Sequence, residues 1–483
     1  MRKEKEIRRF SLTQGCAIAI IAYIVLAVGL YFIAGDQFKY RVSDNSIVSQ
    51  EANTPVGALE KGYSVEQTFI PEADIINSFS LKFATFARKN TGTIIVKLLN
   101  ESDNNVLFNR QIDVSQLEDN AFATFVPDEQ IEGVKGKKLR ILIISETGTK
   151  DNAVTLWYNN TAKVQDQQMF LNGKPLDGVL CFKVSEIDAL LFGQYYFEIM
   201  VAVGLILLAY CANLIYRQKK GKRSLGLNVI NAFSRYRFLL HQLVSRDFKT
   251  KYKRSVLGVL WSFLNPLLSM MVQYIVFSTL FKSDIPNFAV YLLIGIVFFN
   301  FFSEATSMGL MAIVGNSSLI TKVYIPKYIF PVSRTLSSTI NLLISMIPLL
   351  LVVLITRTPI TPAILLLPFS IICAVIFCIG MSFILSSAMV YFRDMQFLWS
   401  VINMLWMYAT PIFYPESILP PKLMVVFKMN PLYHFIRFSR AIIMNGASPE
   451  PRAYLFCLIA AFVPLIIGAA VFKKTQDNFI LNI

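Results

Sequence analysis

The sequence predicts an α-helical integral membrane protein of about eight transmembrane helices, six of them forming a C-terminal core. An extracytoplasmic antiparallel β-sandwich is inserted ahead of that core. Three observations predict this class. Of 483 residues, 54% are hydrophobic and 16% charged, against about 25% charged in soluble domains. Long apolar segments recur along the chain, with one interval, 36–190, of short alternating strands. The net charge of +15 sits beside apolar segments, where the positive-inside rule places cations, so it gives no reason to expect nucleic acid as a partner.

Taken in order, "MRKEKEIRRF" is a basic start followed by an apolar run from about Gln14 to Ala34. That run is near spanning length and longer than a signal-peptide core. Residues 1–35 therefore read as a cytoplasmic N-terminus and an uncleaved anchor. Residues 36–190 follow, with alternating patterns in "GTIIVKLLN", "KKLRILIIS", "AVTLWYNN" and "VLCFKV". Asn172-Gly173 is a hairpin signal, and strands at this spacing indicate a sandwich. Because the anchor crosses outward, the sandwich is expected outside the cell. Trp157, Tyr158 and Tyr63 are its candidate stacking residues for sugar rings, although Trp157 alternates within a strand and reads equally as core.

Residues 191–237 hold a second span, about Tyr195 to Tyr216, and a basic linker. From Arg217 to Arg254 twelve Lys and Arg face one acid, Asp247, which marks this side as cytoplasmic. Residues 238–483 form the third region. Leu240, Val244, Phe248, Tyr252 and Val256 recur every four residues beside Leu239 and Leu243, with Arg246, Lys249, Lys253 and Arg254 on the remaining faces. This is an amphipathic helix at the inner membrane interface, attracted by anionic head groups. Gly258 and Trp261 mark the corner where the chain turns into the membrane. Six spans follow at about 257–281, 289–312, 332–356, 362–390, 396–414 and 452–472, with both termini inside.

Chemistry-bearing motifs are sparse. No GxxxxGK[ST] occurs. His241 and His434 stand apart and suggest no metal site. Five of the six cysteines lie in apolar spans and Cys181 in the sandwich, which offers no disulfide framework. Glu304 is an ionisable residue within a span and is either a functional group or a residue bonded to a neighbouring helix. Arg334, Ser338, Asn341 and Ser345 share one face of the third core span, lining a hydrophilic path or packing a helix. Residues 315–331 are a polar break long enough for a short helix meeting a partner. Pro411, Pro415, Pro420, Pro421 and Pro431 forbid one continuous helix, so short helices dipping into the outer leaflet are expected at Leu423–Phe427 and Phe435–Ile443.

"RDFKTKYKRSVLGVLWSFLNPLLSM", "LLIGIVFFNFFSEA", "NSSLITKVYIPKYIFPVS", "TPIFYPESI" and "NPLYHFIRFSRAII" together resemble the ABC-2 type permeases that export teichoic acid, O-antigen and related polysaccharides. The resemblance begins at about Phe238 and does not cover the module before it. It implies a homodimer working with two ABC ATPase subunits on a lipid-linked polysaccharide, among membrane lipids. It implies no cofactor on this chain, with ATP and Mg on the partner ATPase, and no catalysis by the chain alone. Lys322, Val323, Tyr324, Pro326 and Lys327 would couple to the ATPase. Arg246, Asp247, Phe248, Lys249, Lys253 and Arg254 would form the interface helix and inner gate. Pro411, Tyr414, Pro415, Asn430, Pro431, Tyr433 and His434 would belong to the outer gate. Tyr291, Glu304, Ser338, Asn341, Trp399 and Trp406 would border the translocation path. A sensor fits the anchor, outer domain and returning span, but not six further spans. A membrane glycosyltransferase would need acidic catalytic residues, of which the outer segment offers Glu416 and Glu450.

Overall fold

An apolar helix needs about 20 residues, at about 1.5 Å each, to cross about 30 Å of hydrocarbon. Seven helices meet that requirement among the described residues of the computed structural model, which are 12–45, 52–164, 166–222, 224–253, 255–281, 285–323, 325–418 and 420–483. The longer helices are α1 Leu12–Ala34, α2 Tyr196–Lys219, α3 Leu225–Tyr252, α4 Leu260–Phe281, α5 Phe288–Leu310 and α6 Ile329–Ile355. They continue with α7 Leu367–Tyr391, α8 Met395–Tyr408, α9 Pro421–Lys428, α10 Pro431–Met444 and α11 Pro451–Thr475. The chain forms two compact units, Phe38–Tyr196 and the remainder.

One expected span is shorter than the sequence suggested. The apolar run at 396–414 yields α8, a helix of 14 residues, about 21 Å long. Pro411 lacks the amide that a continuing helix requires and disfavours helical geometry just before it. The interface helix is also shorter than its apolar stripe. It ends at Tyr252, and Val256 is fully exposed. Gly258 takes φ +52 with open space around it, so backbone freedom rather than room suits glycine at this corner.

The helical core is built around α5. Residues such as Leu292, Ile294, Phe298 and Phe302 are buried on every side of it, as expected of a helix that is apolar all round. It is packed by α4, α6, α7 and α10. Helices α7 and α11 approach until backbone meets backbone. A Cβ on Gly468 would lie 2.2 Å from the Gly380 carbonyl oxygen, and one on Gly380 would lie 2.5 Å from the Leu465 nitrogen. Small residues permit that separation. Helices α1 and α2 pair through the Tyr23 hydroxyl, which donates to the Met200 carbonyl at 2.6 Å.

The other unit is an antiparallel sandwich. Its six-stranded sheet runs Lys174–Leu176, Met169–Leu171, Ser64–Phe69, Leu139–Ser145, Thr93–Asn100, Val106–Asp113. The eight-stranded sheet has the path Tyr40–Asn45, Phe182–Ala189, Ile75–Ala84, Thr155–Asn159, Val179–Leu180, with three short strands paired beside it. Alternation places Leu139, Ile141 and Ile143 inward against Phe79, Phe83 and Phe182, the period-two pattern of a two-layer core. The expected hairpin joins Met169–Leu171 to Lys174–Leu176, with Asn172 and Gly173 both at positive φ.

Candidate functional site

At the basic end of the bundle, α3 is held by charge. Its buried face carries Leu243 and, one turn on, Asp247, whose side chain is 3% exposed. Asp247 Oδ1 accepts from Arg246 at 3.0 Å and pairs with Arg334 of α6 at 3.2 Å. Arg246 also donates to Asn316 Oδ1 at 3.1 Å, while Asn316 donates to the Ala312 carbonyl. One turn further, Lys251 pairs with Glu304 of α5 at 2.8 Å. Asn341 Nδ2 donates to the same carboxylate at 2.6 Å, and its oxygen accepts from the Tyr252 hydroxyl at 2.9 Å. Tyr252 also meets the Ser262 hydroxyl, and Ser345 donates to the Ser262 carbonyl. The polar face of α6 is therefore a docking strip for α3 and the start of α4. Beside it, Arg246, Phe248, Lys249, Thr250, Tyr252 and Lys253 line an open hollow of about 520 Å³, cationic on its charged atoms and aromatic between them.

The polar break between α5 and α6 holds a 3-10 turn, Val314–Asn316, and an α-helical turn, Ser317–Ile320, followed by a turn bearing exposed Lys322 and Val323. The expected partner-facing helix is thus displaced toward the N-terminal side of the lysines. Tyr324 and Arg254, both expected site residues, lie outside the described residues. Pro326 caps the approach to α6, its carbonyl accepting from Ile329. Lys327 does not point away like Lys322: its amine donates to the Gln476 carbonyl and lies over the Phe479 ring.

At the opposite end, backbone carbonyls take the place of carboxylates. Arg440 of α10 is buried and donates to the carbonyls of Pro411 at 2.7 Å, Tyr291 at 3.1 Å and Ile412 at 3.2 Å. Its guanidinium carbon lies 3.3 Å from the Tyr291 ring centroid, a cation–π contact. The Tyr291 hydroxyl donates to the Tyr414 carbonyl at 2.8 Å. Asn430 caps α10 by accepting from the Leu432 amide. The same oxygen accepts from the Trp406 indole, and the Asn430 amide group donates to Thr410 and the Ala409 carbonyl. Pro431 occupies the first helical position, where its missing amide costs nothing. Tyr433 donates to Glu416 at 2.9 Å, while His434 contacts the Lys428 carbonyl and stacks on Phe456. Pro411, Tyr414 and Pro415 form the non-helical strap that these side chains hold.

Arg440 was not singled out by sequence reasoning. Its signal is a lone cation on the apolar side of "FIRFSRAIIM", four residues from Ile436 and three from Ile443, both buried. Of the six expected path residues, Asn341 and Glu304 are hydrogen-bonded to each other and Trp399 and Trp406 are in ring contact, 6.2 Å between centroids. Tyr291, Ser338, Asn341 and Trp399 are buried, Glu304 serves the α3 contact, and Trp406 is bonded to Asn430. In the sandwich, Tyr63 adjoins the six-stranded sheet, whereas Trp157 and Tyr158 lie on the other. Tyr158 packs on the core. The Trp157 indole donates to Asn120 at 2.8 Å, beside Asp119, whose carboxyl is held below its usual range by the Thr85 amide. The three aromatics are not one platform, because neighbouring strand residues point to opposite faces.

The fold and these contacts define a multi-pass membrane protein whose helical core is gripped at one end by a basic amphipathic helix and capped at the other by two short helices. The profile of the ABC-2 type transporter family matches residues 239–444. The O-antigen export system permease protein RfbA of Klebsiella pneumoniae is 32% identical over 244 residues, 50% of this chain and 93% of the relative. Its Myxococcus xanthus namesake is 29% identical over 257 residues, 52% and 98%. The polysialic acid transport protein KpsM of Escherichia coli is 23% identical over 257 residues, 52% and 99%. The chain belongs to the ABC-2 type family of polysaccharide-export permeases.

Proposed function

We propose that this chain is the membrane subunit of an ATP-driven exporter that moves a lipid-linked polysaccharide of the teichoic acid or O-antigen class outward. A second copy would complete the path, and two ATPase subunits, binding ATP and Mg, would drive it. The chain itself would carry no catalytic residue and no cofactor. The basic end of the bundle would face the cytoplasm, with both termini, and the sandwich would lie outside the cytoplasmic membrane.

The observation that carries this reading is the ionic grip of α3 on α5 and α6. A surface helix fastened by Asp247–Arg334 and Lys251–Glu304 shifts these spans when it is pushed from the cytoplasm. Lys322 and Val323 would receive that push. Pro411, Tyr414, Pro415, Asn430, Pro431, Tyr433 and His434 would form the outer gate, and Arg246, Phe248, Lys249 and Lys253 the inner one. Export by cells carrying Lys322→Glu tests the reading. Completed lipid-linked chains should accumulate inside while synthesis continues. Unfinished or untransferred chains would instead indicate a transferase and overturn it.

A further inference from the structure

Where alternate residues of a strand are buried, those between them face out. Leu81, Phe83, Phe125, Leu156 and Phe182 are buried in the sandwich core. Lys82, Trp157 and Lys183 therefore lie on the outer face of the eight-stranded sheet, and Phe122 of the short strand Phe122–Phe125 stands opposite Lys82. Main chain joins the group: the Cys181 amide donates to the Trp157 carbonyl, and the Cys181 carbonyl accepts from the Lys82 amide. Lys183 is paired with Ser80 and reaches across that strand to the Phe122 ring, 4.2 Å from its centroid, while Lys82 lies 5.9 Å from it. Two ammonium groups thus share one ring. On the same face the Ser80 and Thr124 hydroxyls are bonded to each other at 2.9 Å. Among the described residues, neither lysine forms an ion pair with a carboxylate. Other cations of the sandwich do: Arg140 pairs with Glu66 at 3.1 Å and Lys138 with Glu101 at 2.9 Å. Asp119, the acid beside Trp157, is occupied by the Thr85 amide and hydroxyl and by Asn120.

We propose that this face of the sandwich binds a phosphate-bearing glycan, one whose sugar or polyol units are joined through phosphodiesters. The inference rests on the exporter reading above and narrows the class of its polymer. Like charges on neighbouring strands repel each other, and an anion between Lys82 and Lys183 turns that repulsion into attraction. Both ammonium groups lie close enough to one ring for a single phosphodiester to meet them together. Lysine meets a phosphate oxygen as a point charge, whereas a planar carboxylate is matched by the arginine fork. The cations that converge on Phe122 are both lysines. Beside them the Trp157 ring, with its indole nitrogen held by Asn120, offers an apolar face to a sugar ring. The Ser80 and Thr124 hydroxyls can donate to or accept from its substituents.

The test uses the full-length chain in phosphatidylcholine nanodiscs, with poly(glycerol phosphate) as the probe. Dextran, polygalacturonate and phosphatidylglycerol vesicles are the comparisons. The wild-type chain should bind poly(glycerol phosphate) more tightly than either other glycan, with an affinity that falls as salt rises. Lys82→Gln/Lys183→Gln should weaken that binding about tenfold, and Trp157→Ala about threefold. Lys97→Gln removes the same charge from the outer face of the six-stranded sheet and should change nothing. Equal weakening by Lys97→Gln would reduce the effect to net charge and overturn the site, as would an affinity indifferent to the lysine pair. Tighter binding of polygalacturonate or dextran would overturn the phosphate assignment. Loss of vesicle binding with glycan binding unchanged would assign the lysines to lipid head groups and also overturn it. All of these outcomes leave the exporter reading intact, because that reading stands or falls on the chains that accumulate in Lys322→Glu cells.

Discussion

The two ends of the helical core are fastened by different chemistry. At the basic end, α3 is held by side-chain ion pairs, of which the outer remains partly hydrated: the Lys251 and Glu304 side chains are 42% and 27% exposed, whereas Asp247 is 3% exposed. At the other end, the Arg440 cation is buried and held by three carbonyls, those of Pro411 and Ile412 in a proline-interrupted strap and that of Tyr291 in α5, while its Nε has no partner among the described residues. Exposed ion pairs contribute little and weaken with salt, whereas a buried cation that loses its partners is costly. The first arrangement suits a contact that loosens and reforms, the second a fixed hinge. In the exporter reading proposed above, the moving part of the molecule would lie at α3.

Four substitutions sharpen that contrast. Arg440→Met should have the largest effect. It strands the Pro411, Tyr291 and Ile412 carbonyls at about 1–3 kcal/mol for each that finds no other donor. A sharply lowered thermal midpoint of the purified protein would be the readout, with Arg440→Lys between it and wild type. Asp247→Asn should come next, at about 2 kcal/mol, because Arg334 then sits beside Arg246 without its counter-charge. It should reduce export more than it reduces protein level. Asn430→Ala removes the α10 cap and three further hydrogen bonds, costing about 1–2 kcal/mol, again visible in the thermal midpoint. Lys251→Met should be smallest, below about 1 kcal/mol, and high salt should erase its difference from wild type. An Arg440→Met difference that also vanished in salt would break the comparison.

Much of this arrangement was legible in the sequence, for identifiable reasons. The corner at Gly258, the hairpin at Asn172-Gly173 and the short helices after Pro420 are local, set by backbone preferences of the residues themselves. The polar face Arg334–Ser338–Asn341–Ser345 could also be read from helical spacing. Its partner could not, since Asp247 and Tyr252 reach it through tertiary packing across about ninety residues. Glu304 drew attention as an ionisable group in an apolar span, yet only the fold reveals Lys251 opposite it. Arg440 was missed because a cation in "FIRFSRAIIM" resembles Arg437, three residues away, which is exposed. The length of α8 was overestimated because hydropathy continues through Pro411 while the helix cannot.

The most direct test of the central claim is a double-mutant cycle on Asp247→Asn and Arg334→Gln, measured by thermal midpoint and by polysaccharide export. If α3 is gripped through this pair, the double variant should be little worse than the poorer single one, with a coupling of about 1 kcal/mol or more. Strictly additive losses, or export indifferent to both substitutions, would contradict a grip at this point.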